Sequence, residues 1–244
     1  MNRSEAQHAV LAERQRIRVE YQRRAKEIEP DLYSPWQPAE IFFKSSRKAV
    51  AAAMLNDARV FPRTGDTCLE VGCGSGGWLA DLVSWGVRDS DLHGIDIDPL
   101  RISRAKEMWS AADLRVGDAS DLPWADGTFS LVVSSTLFTS VLDGDVRALI
   151  ANEIVRVLAP GGALLCYDFA FDNPQNPHVR GISRSEILRL FPQLAGKIKS
   201  VTLAPPLARL IVPRSWALAT FLETIPFLRT HLLAVLIKPS RVME

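Results

Sequence analysis

The run Leu69-Glu70-Val71-Gly72-Cys73-Gly74-Ser75-Gly76-Gly77 constrains the fold more than any other stretch of this 244-residue chain. An apolar strand pattern enters it and an apolar helical pattern leaves it at Trp78, so a buried strand has to turn sharply into a helix there. Glycine in such a turn permits positive φ and lets the backbone approach a ligand that any Cβ would push away. Gly72, Gly74 and Gly77 also satisfy G-x-G-x-x-G, a spacing shared by dinucleotide sites and by ordinary glycine-rich turns. Spacing alone leaves the ligand open.

Glu70 narrows the choice. A carboxylate at the mouth of this strand would face the pyrophosphate of NAD or FAD, and like charges in a partly dry cleft repel. S-adenosylmethionine carries a sulfonium and an ammonium and no phosphate, so the same carboxylate becomes favourable. A surface acid beside a structural turn is the plainer alternative. The next two strand patterns favour the ligand. Leu92-His93-Gly94-Ile95-Asp96-Ile97-Asp98 ends in acid about twenty residues beyond the turn, where Asp96 can accept both hydroxyls of a ribose. Asp98 before Pro99 reads as the cap of a helix over 100–109. Arg115-Val116-Gly117-Asp118-Ala119 ends in acid again, offering Asp118 to an adenine amino group and the Ala119 N–H to a ring nitrogen.

With the glycine turn, the segments Gly94-Ile95-Asp96-Ile97-Asp98-Pro99, Gly117-Asp118-Ala119-Ser120-Asp121-Leu122-Pro123, Phe129-Ser130-Leu131-Val132-Val133-Ser134 and Val157-Leu158-Ala159-Pro160-Gly161-Gly162 resemble the class I S-adenosylmethionine-dependent methyltransferases across residues 67–169. Ser130 departs from the Asp that the family commonly has after the Phe, a residue that supports the strand rather than the cofactor. The resemblance implies an α/β fold: a Rossmann-like, doubly wound, seven-stranded sheet with a reversed last strand and an N-terminal helical extension. It implies S-adenosyl-L-methionine as cofactor, with Glu70, Gly72, Cys73, Gly74, Gly76, Asp96, Ile97, Asp118, Ala119 and Ser134 as the binding residues.

Composition fits one such domain, with 1–60 as helical extension and cofactor or substrate cover and 61–244 as the methyltransferase domain. At 47% hydrophobic residues the chain can build a single α/β core, and a net charge of +1 gives no basic field for nucleic acid. Cys68, Cys73 and Cys166 lie in strand patterns without metal-ligand spacing; they read as reduced core thiols of a cytoplasmic protein with no metal site. The charged start lacks an apolar signal segment, and no apolar run is long enough to span a bilayer.

Residues 1–30 read as a charged helix with sparse apolar positions, Val10, Leu11, Ile17, Val19 and Ile28, better suited to a solvated helix packed by one narrow stripe than to an RNA-binding arm. Tyr33-Ser34-Pro35-Trp36-Gln37-Pro38 is a loop before a helix over 39–57. In the resembling enzymes this segment often folds over the cofactor, which brings Tyr33, Trp36, Phe42, Phe43 or Arg47 to the border of the site; core packing of Phe42 and Phe43 is the alternative. A helix over 78–85 should present its N-terminus to the methionine part of the cofactor. A strand over 129–135 should bring Ser134, Ser135, Thr136 and Leu137 to the cleft. It lacks the acid or amide followed by two prolines and an aromatic that base-amine methyltransferases commonly carry, and it lacks a cysteine for attack on a pyrimidine.

A helix over 143–158 is expected to turn through Pro160-Gly161-Gly162 into a strand over 163–169. The polar loop 168–181 leaves the cofactor edge of the sheet, where long loops bind or cover substrate, and its Asn, Asp, His and Arg suit hydroxylated acceptors. It also resembles, loosely, segments of bacterial methyltransferases of surface-glycan and natural-product pathways. Trp36, Phe138, Asn173, Asn176 and Arg180 are the candidate substrate residues. Carboxylates and amines attack a sulfonium unaided, whereas an alcohol must lose its proton, for which His178 is the candidate base and Asp168 a second catalytic candidate. His178 fastening its own loop and Asp168 orienting it are the structural alternatives; Tyr167 and Asp172 are further bases, and His8, His93 and His231 read as structural.

A capped helix follows over 183–191, then strands over 199–203 and 231–237. Between them, 205–229 holds an apolar helical segment around Ile211, Trp216, Leu218, Phe221 and Leu222 that suits a lid, a dimer surface, a membrane-contacting patch or a cover for one sheet face. Arg209, Arg214, Glu223 and Arg229 argue against its insertion in lipid. The sequence thus favours methyl transfer to a small or glycan-like polar acceptor, at oxygen, by in-line displacement, with a homodimer left open. A non-catalytic cofactor-binding or assembly protein is the alternative, and a nicotinamide-dependent oxidoreductase the third choice.

Overall fold

Period-two alternation in the strands decides the layering. In a computed structural model that describes residues 3–27, 31–173 and 176–240, seven strands form one sheet: β1 (Cys68–Val71), β2 (Leu92–Asp96), β3 (Asp113–Val116), β4 (Phe129–Ser135), β5 (Leu158–Phe169), β6 (Ala195–Leu203) and β7 (Arg229–Ile237). Leu69, Val71, Val132, Leu164, Cys166, Leu232 and Ala234 point to one face. Cys68, Leu131, Val133, Ala163, Leu165, Leu233 and Val235 point to the other. Because both sets are apolar and buried, the sheet has to be covered on both sides.

The first face is covered by α6 (Gly144–Val157) and α7 (Arg184–Leu190), through Ile150, Ile154, Ile187 and Phe191. The second is covered by α2 (Pro38–Asp57), α3 (Gly77–Ser84) and α4 (Pro99–Met108), through Leu55, Trp78, Leu82 and Ile102. Strand order is β3-β2-β1-β4-β5-β7-β6. β7 runs antiparallel to β5 and β6, and the remaining pairs are parallel, which is the doubly wound sheet with a reversed last strand expected from the resemblance.

Helix starts follow the capping chemistry. Asp98 accepts hydrogen bonds from the N–H groups of Leu100 and Arg101, and Asp143 from those of Asp145 and Val146; Ser183 accepts from Glu186 N–H. Pro160-Gly161-Gly162, expected as a turn ahead of the strand, lies within β5. The pairing register with β4 jumps there, from Phe129 opposite Leu158 to Leu131 opposite Ala163, so the extra residues bulge out instead of ending the strand.

The apolar segment after β6 forms two short helices, α8 (Pro205–Ile211) and α9 (Trp216–Glu223), with Pro213 between them ending the first. At the other end of the chain, α1 (Arg3–Glu27) lies against α6 along one face and leaves Leu11 and Val19 exposed on the other. Val10 and Ile17 of the expected narrow stripe pack with Ala9 against the core, and polar contacts add to them: Arg16 donates to the Ser140 carbonyl and, at 3.3 Å, to that of His178, while Glu13 accepts from Leu142 N–H at 2.5 Å. Ile28 and Pro30 of the expected helix, and Pro174 and Gln175 of the polar loop, lie outside the described residues.

Candidate active site

A parallel sheet leaves its ligand cleft where the strands end and the chain reverses. Gly72, Gly74 and Gly76 hold φ of +74°, +53° and +85°, so the turn after β1 needs the left-handed backbone that glycine adopts freely. A Cβ at Gly76 would lie 2.7 Å from Trp109 Nε1, and one at Gly72 would lie 3.1 Å from Leu137 Cδ1. The turn is tied down by its own amides: Gly72 N–H and Cys73 N–H both donate to the Ile95 carbonyl, at 2.8 and 3.0 Å. Those two amides are therefore committed to β2.

Gly72, Asp96, Ile97, Asp118, Ala119 and Leu137 line one cleft, as the order of acid-ended strands requires. Asp96 is almost fully buried and accepts from Gly74 N–H at 2.8 Å and Asp98 N–H at 2.9 Å, one bond on each oxygen. Each oxygen keeps a lone pair for a ribose hydroxyl. Burial raises the Asp96 pKa against the pull of those amides. Asp118 uses Oδ1 on the amide and hydroxyl of Ser120, whereas its buried Oδ2 accepts no hydrogen bond and meets only Arg14 Nε at 3.4 Å. An unsatisfied buried carboxylate oxygen is costly, and an amino-group donor such as that of adenine would satisfy it.

Glu70 projects toward α3 and accepts from Leu79 N–H at 3.2 Å. Burial pushes its pKa up to about 8, opposed by the nearby Arg47 and the first amides of α3. The carboxyl is thus held largely neutral until a cation arrives, and an ammonium beside it would return it to the charged form. Arg47, on α2, lies 4.5 Å from the centre of the Trp78 ring and 5.7 Å from that of Tyr167, with its Nε unpartnered.

The roof of the cleft is α1. Val10, Glu13, Arg14, Ile17 and Tyr21 close it over Asp96 and Asp118. Tyr21 stacks under the Arg101 guanidinium, 4.2 Å from its ring centre, and burial followed by the Asp96 charge raises its phenol pKa. Sequence reasoning missed Glu13, Arg14 and Tyr21. The signal was present as positions 10, 13, 14, 17 and 21, which share one helical face.

Several expected site residues are placed elsewhere. Ser134 is fully buried within β4, and Cys73 is a buried thiol whose pKa burial raises. Phe138 is fully buried, with its ring 5.8 Å from that of Phe191. Asp168 is fully buried; its Oδ1 accepts from Thr139 N–H, Phe169 N–H and the Thr139 hydroxyl and its Oδ2 from Phe138 N–H, so it fixes α5 (Leu137–Ser140) to β5. Arg180 pairs with Glu186 at 2.7 Å, beside the buried Arg147 that shares the same carboxylate at 2.8 Å. Asn176 Oδ1 accepts from His178 N–H at 3.1 Å, which closes the loop on itself. Trp36 stands exposed at the start of α2. His178 keeps an open ring, with Nδ1 at 3.8 Å from Glu20 Oε2 on α1.

Residues 68–162 match the family described as "Methyltransferase domain". Over those residues the chain is similar to a methyltransferase domain. The cleft fits S-adenosylmethionine by the Asp118 oxygen that accepts no hydrogen bond and by the buried Glu70 carboxyl. Norajmaline N-methyltransferase of Rauvolfia serpentina is 30% identical over 156 residues, 58% of this chain and 50% of the relative. Tocopherol O-methyltransferase of Arabidopsis thaliana is 34% identical over 112 residues, 43% of this chain and 30% of the relative. The chain thus spans about half the length, or less, of these curated relatives. The geranyl diphosphate C-methyltransferase of Streptomyces coelicolor A3(2), solved with S-adenosyl-L-homocysteine, shares the fold at a TM-score of 0.58 and 19% identity, covering 90% of this chain and 89% of that one. Among the described residues no cluster of His, Cys, Asp and Glu is arranged to hold a metal ion, and no helix is long and apolar enough to cross a membrane.

Proposed function

We propose that the protein transfers the methyl group of S-adenosylmethionine to a small hydroxylated, glycan-like acceptor at oxygen. The observation that carries methyl transfer is the cleft itself, with Asp118 Oδ2 for the adenine amino group, Asp96 for the ribose and the positive-φ glycine turn on the far side of Asp96. The bound cofactor supplies an electrophilic methyl carbon on a sulfonium. Arg47, Glu70 and the N-terminus of α3 suit the methionine carboxylate and ammonium, because they set a cation and amide donors beside an acid that gains charge when a cation arrives. The helical segment 1–60 acts in this reading as the cover that excludes water from the cleft.

The relatives carry N-, O- and C-methyltransferase names, so the acceptor reading rests on His178. Asp168 is fully buried against α5, Asp172 Oδ1 accepts from Gly181 N–H at 2.8 Å, and the Tyr167 phenol, pushed up to about 12 by burial, bonds Thr202 at 2.9 Å. His178 has a partly exposed ring whose Nδ1 lies 3.8 Å from Glu20 Oε2, a carboxylate placed to orient the imidazole as it takes a proton from an alcohol. The test incubates the protein with labelled cofactor and a panel of sugars, phenols and amines, following S-adenosylhomocysteine. Label on hydroxylated acceptors, with kcat lowered about 100-fold in His178→Ala, is expected. Label on amines with no loss in that variant would overturn transfer to oxygen, and tight cofactor binding without turnover on extract fractions would favour a non-catalytic binding protein.

A further inference from the structure

The most unusual surface of the molecule is the insertion between β6 and β7. Leu210, Trp216, Leu218, Phe221 and Phe227 are all exposed, the last two by 63% and 85%, within a stretch of fewer than twenty residues. Single exposed apolar residues are ordinary, but so dense a group marks an interaction surface. Two of the four charges that argue in the sequence against contact with lipid are spent inside the fold. Glu223 accepts from the Ser46 hydroxyl at 2.6 Å and Leu203 N–H at 3.1 Å, and Arg229 donates to the carbonyls of Glu223, Thr224 and Ser200.

The charge left on the surface is cationic. Arg214 is exposed after α8, Arg209 is partly exposed, and Lys44 on α2 lies near the same Glu40 carboxylate that Arg209 approaches at 3.9 Å. Protruding Trp, Phe and Leu flanked by arginine are the chemistry of a surface that settles into the headgroup layer of an anionic bilayer. A second copy of the chain would set this patch against one of the same sign, with no acid in 205–228 except the internally bonded Glu223. Lipid phosphates supply the missing anion.

Topology gives the surface a direction. β6 runs parallel to β1 through β5, so its C-terminal end, the insertion, the polar loop after β5 and the mouth of the cofactor cleft all lie at one edge of the sheet. We propose that the α8–α9 insertion and residues 226–228 dock the protein on an anionic lipid surface, turning the edge that carries the cofactor cleft toward the bilayer. Lipid docking goes beyond methyl transfer and does not depend on it.

The full chain is mixed, without cofactor or acceptor, with sedimentable vesicles of phosphatidylcholine or of an equal mixture of phosphatidylcholine and phosphatidylglycerol. It is expected to pellet with the mixed vesicles and to be released by salt. The Phe221→Ser/Phe227→Ser variant, whose side chains leave no core contact behind, should lose binding by about tenfold or more. Arg214→Glu should lose about fivefold on mixed vesicles only. Unchanged circular dichroism and melting temperature would show that both variants fold. Absence of wild-type binding to the mixed vesicles, or variants that pellet like wild type, would overturn the proposal. A wild-type dimer that the double Phe variant returns to monomer, without vesicle binding, would overturn it in favour of a second copy.

Discussion

Asp96 at the end of β2, Asp118 just beyond β3 and Asp168 near the end of β5 are the same side chain at the same edge of one sheet, yet the chain treats them in opposite ways. Asp168 is fully buried and crowded: three amides and a hydroxyl point at it, three of the four at one oxygen, and α5 is held in place by those bonds. Asp96 has one amide on each oxygen, and Asp118 leaves one buried oxygen without a donor. An acid at a strand end becomes a ligand site where it lines an open cleft, and a structural clamp where a neighbouring element closes over it and supplies its donors. The half of the sheet over β1 to β3 is built to gain a partner; the half over β5 already has its own.

Asp168→Asn should therefore cost the most and cost it in folding. Replacing an acceptor of four donors by an amide sets N–H against N–H in a fully buried site, and the unfolding free energy should fall by about 3 kcal/mol in chemical denaturation. Retained stability with lost cofactor binding would erase the distinction between the halves. On the other side, Glu70→Gln should keep the fold and weaken S-adenosylmethionine binding by about 2 kcal/mol, the scale of a charge-assisted hydrogen bond.

The raised Glu70 pKa adds a sign. A carboxyl that titrates at about 8 when folded and near 4.5 when unfolded stabilises the ligand-free fold fully below about pH 4.5. That contribution is lost as pH rises through 8, because the unfolded chain ionises more readily. Melting temperatures of the cofactor-free protein between pH 5 and 8 should fall with pH through this contribution, and Glu70→Gln should flatten the fall. Cofactor binding near pH 7 should release a proton from Glu70, read as a dependence of calorimetric heat on buffer ionisation enthalpy that disappears in Glu70→Gln. The smallest effect belongs to Arg14→Ala. A partly exposed ion pair to Asp118 contributes about 0.5 kcal/mol, so this variant should melt within a degree or two of wild type and bind cofactor within a few-fold.

The cofactor half was legible in the sequence because its signals are local. Gly72, Gly74 and Gly76 announce a turn by their identity, and Asp96 and Asp118 follow short apolar runs that can be counted. Asp168 follows the same pattern, and only the donors brought to it by Phe138 and Thr139, thirty residues away in sequence, reveal its different use. The roof was hidden for another reason. α1 docks by Val10 and Ile17, which the apolar stripe announces, and also by Glu13 and Arg16, which bond backbone groups of Ser140, Leu142 and His178 and read in the sequence as solvated charge. Phe138 looked available because it follows the cleft strand, and it is buried because Asp168 fixes the short helix that carries it with that ring turned toward Phe191.

The central claim is that the acid-ended strands under α1 hold S-adenosylmethionine. Calorimetric titration of the cofactor into wild type and Asp96→Ala tests it most directly, with circular dichroism to confirm that the variant folds. Saturable binding to wild type and a loss of about 100-fold or more in a folded Asp96→Ala is the expected result. Equal affinity in the two proteins would contradict it.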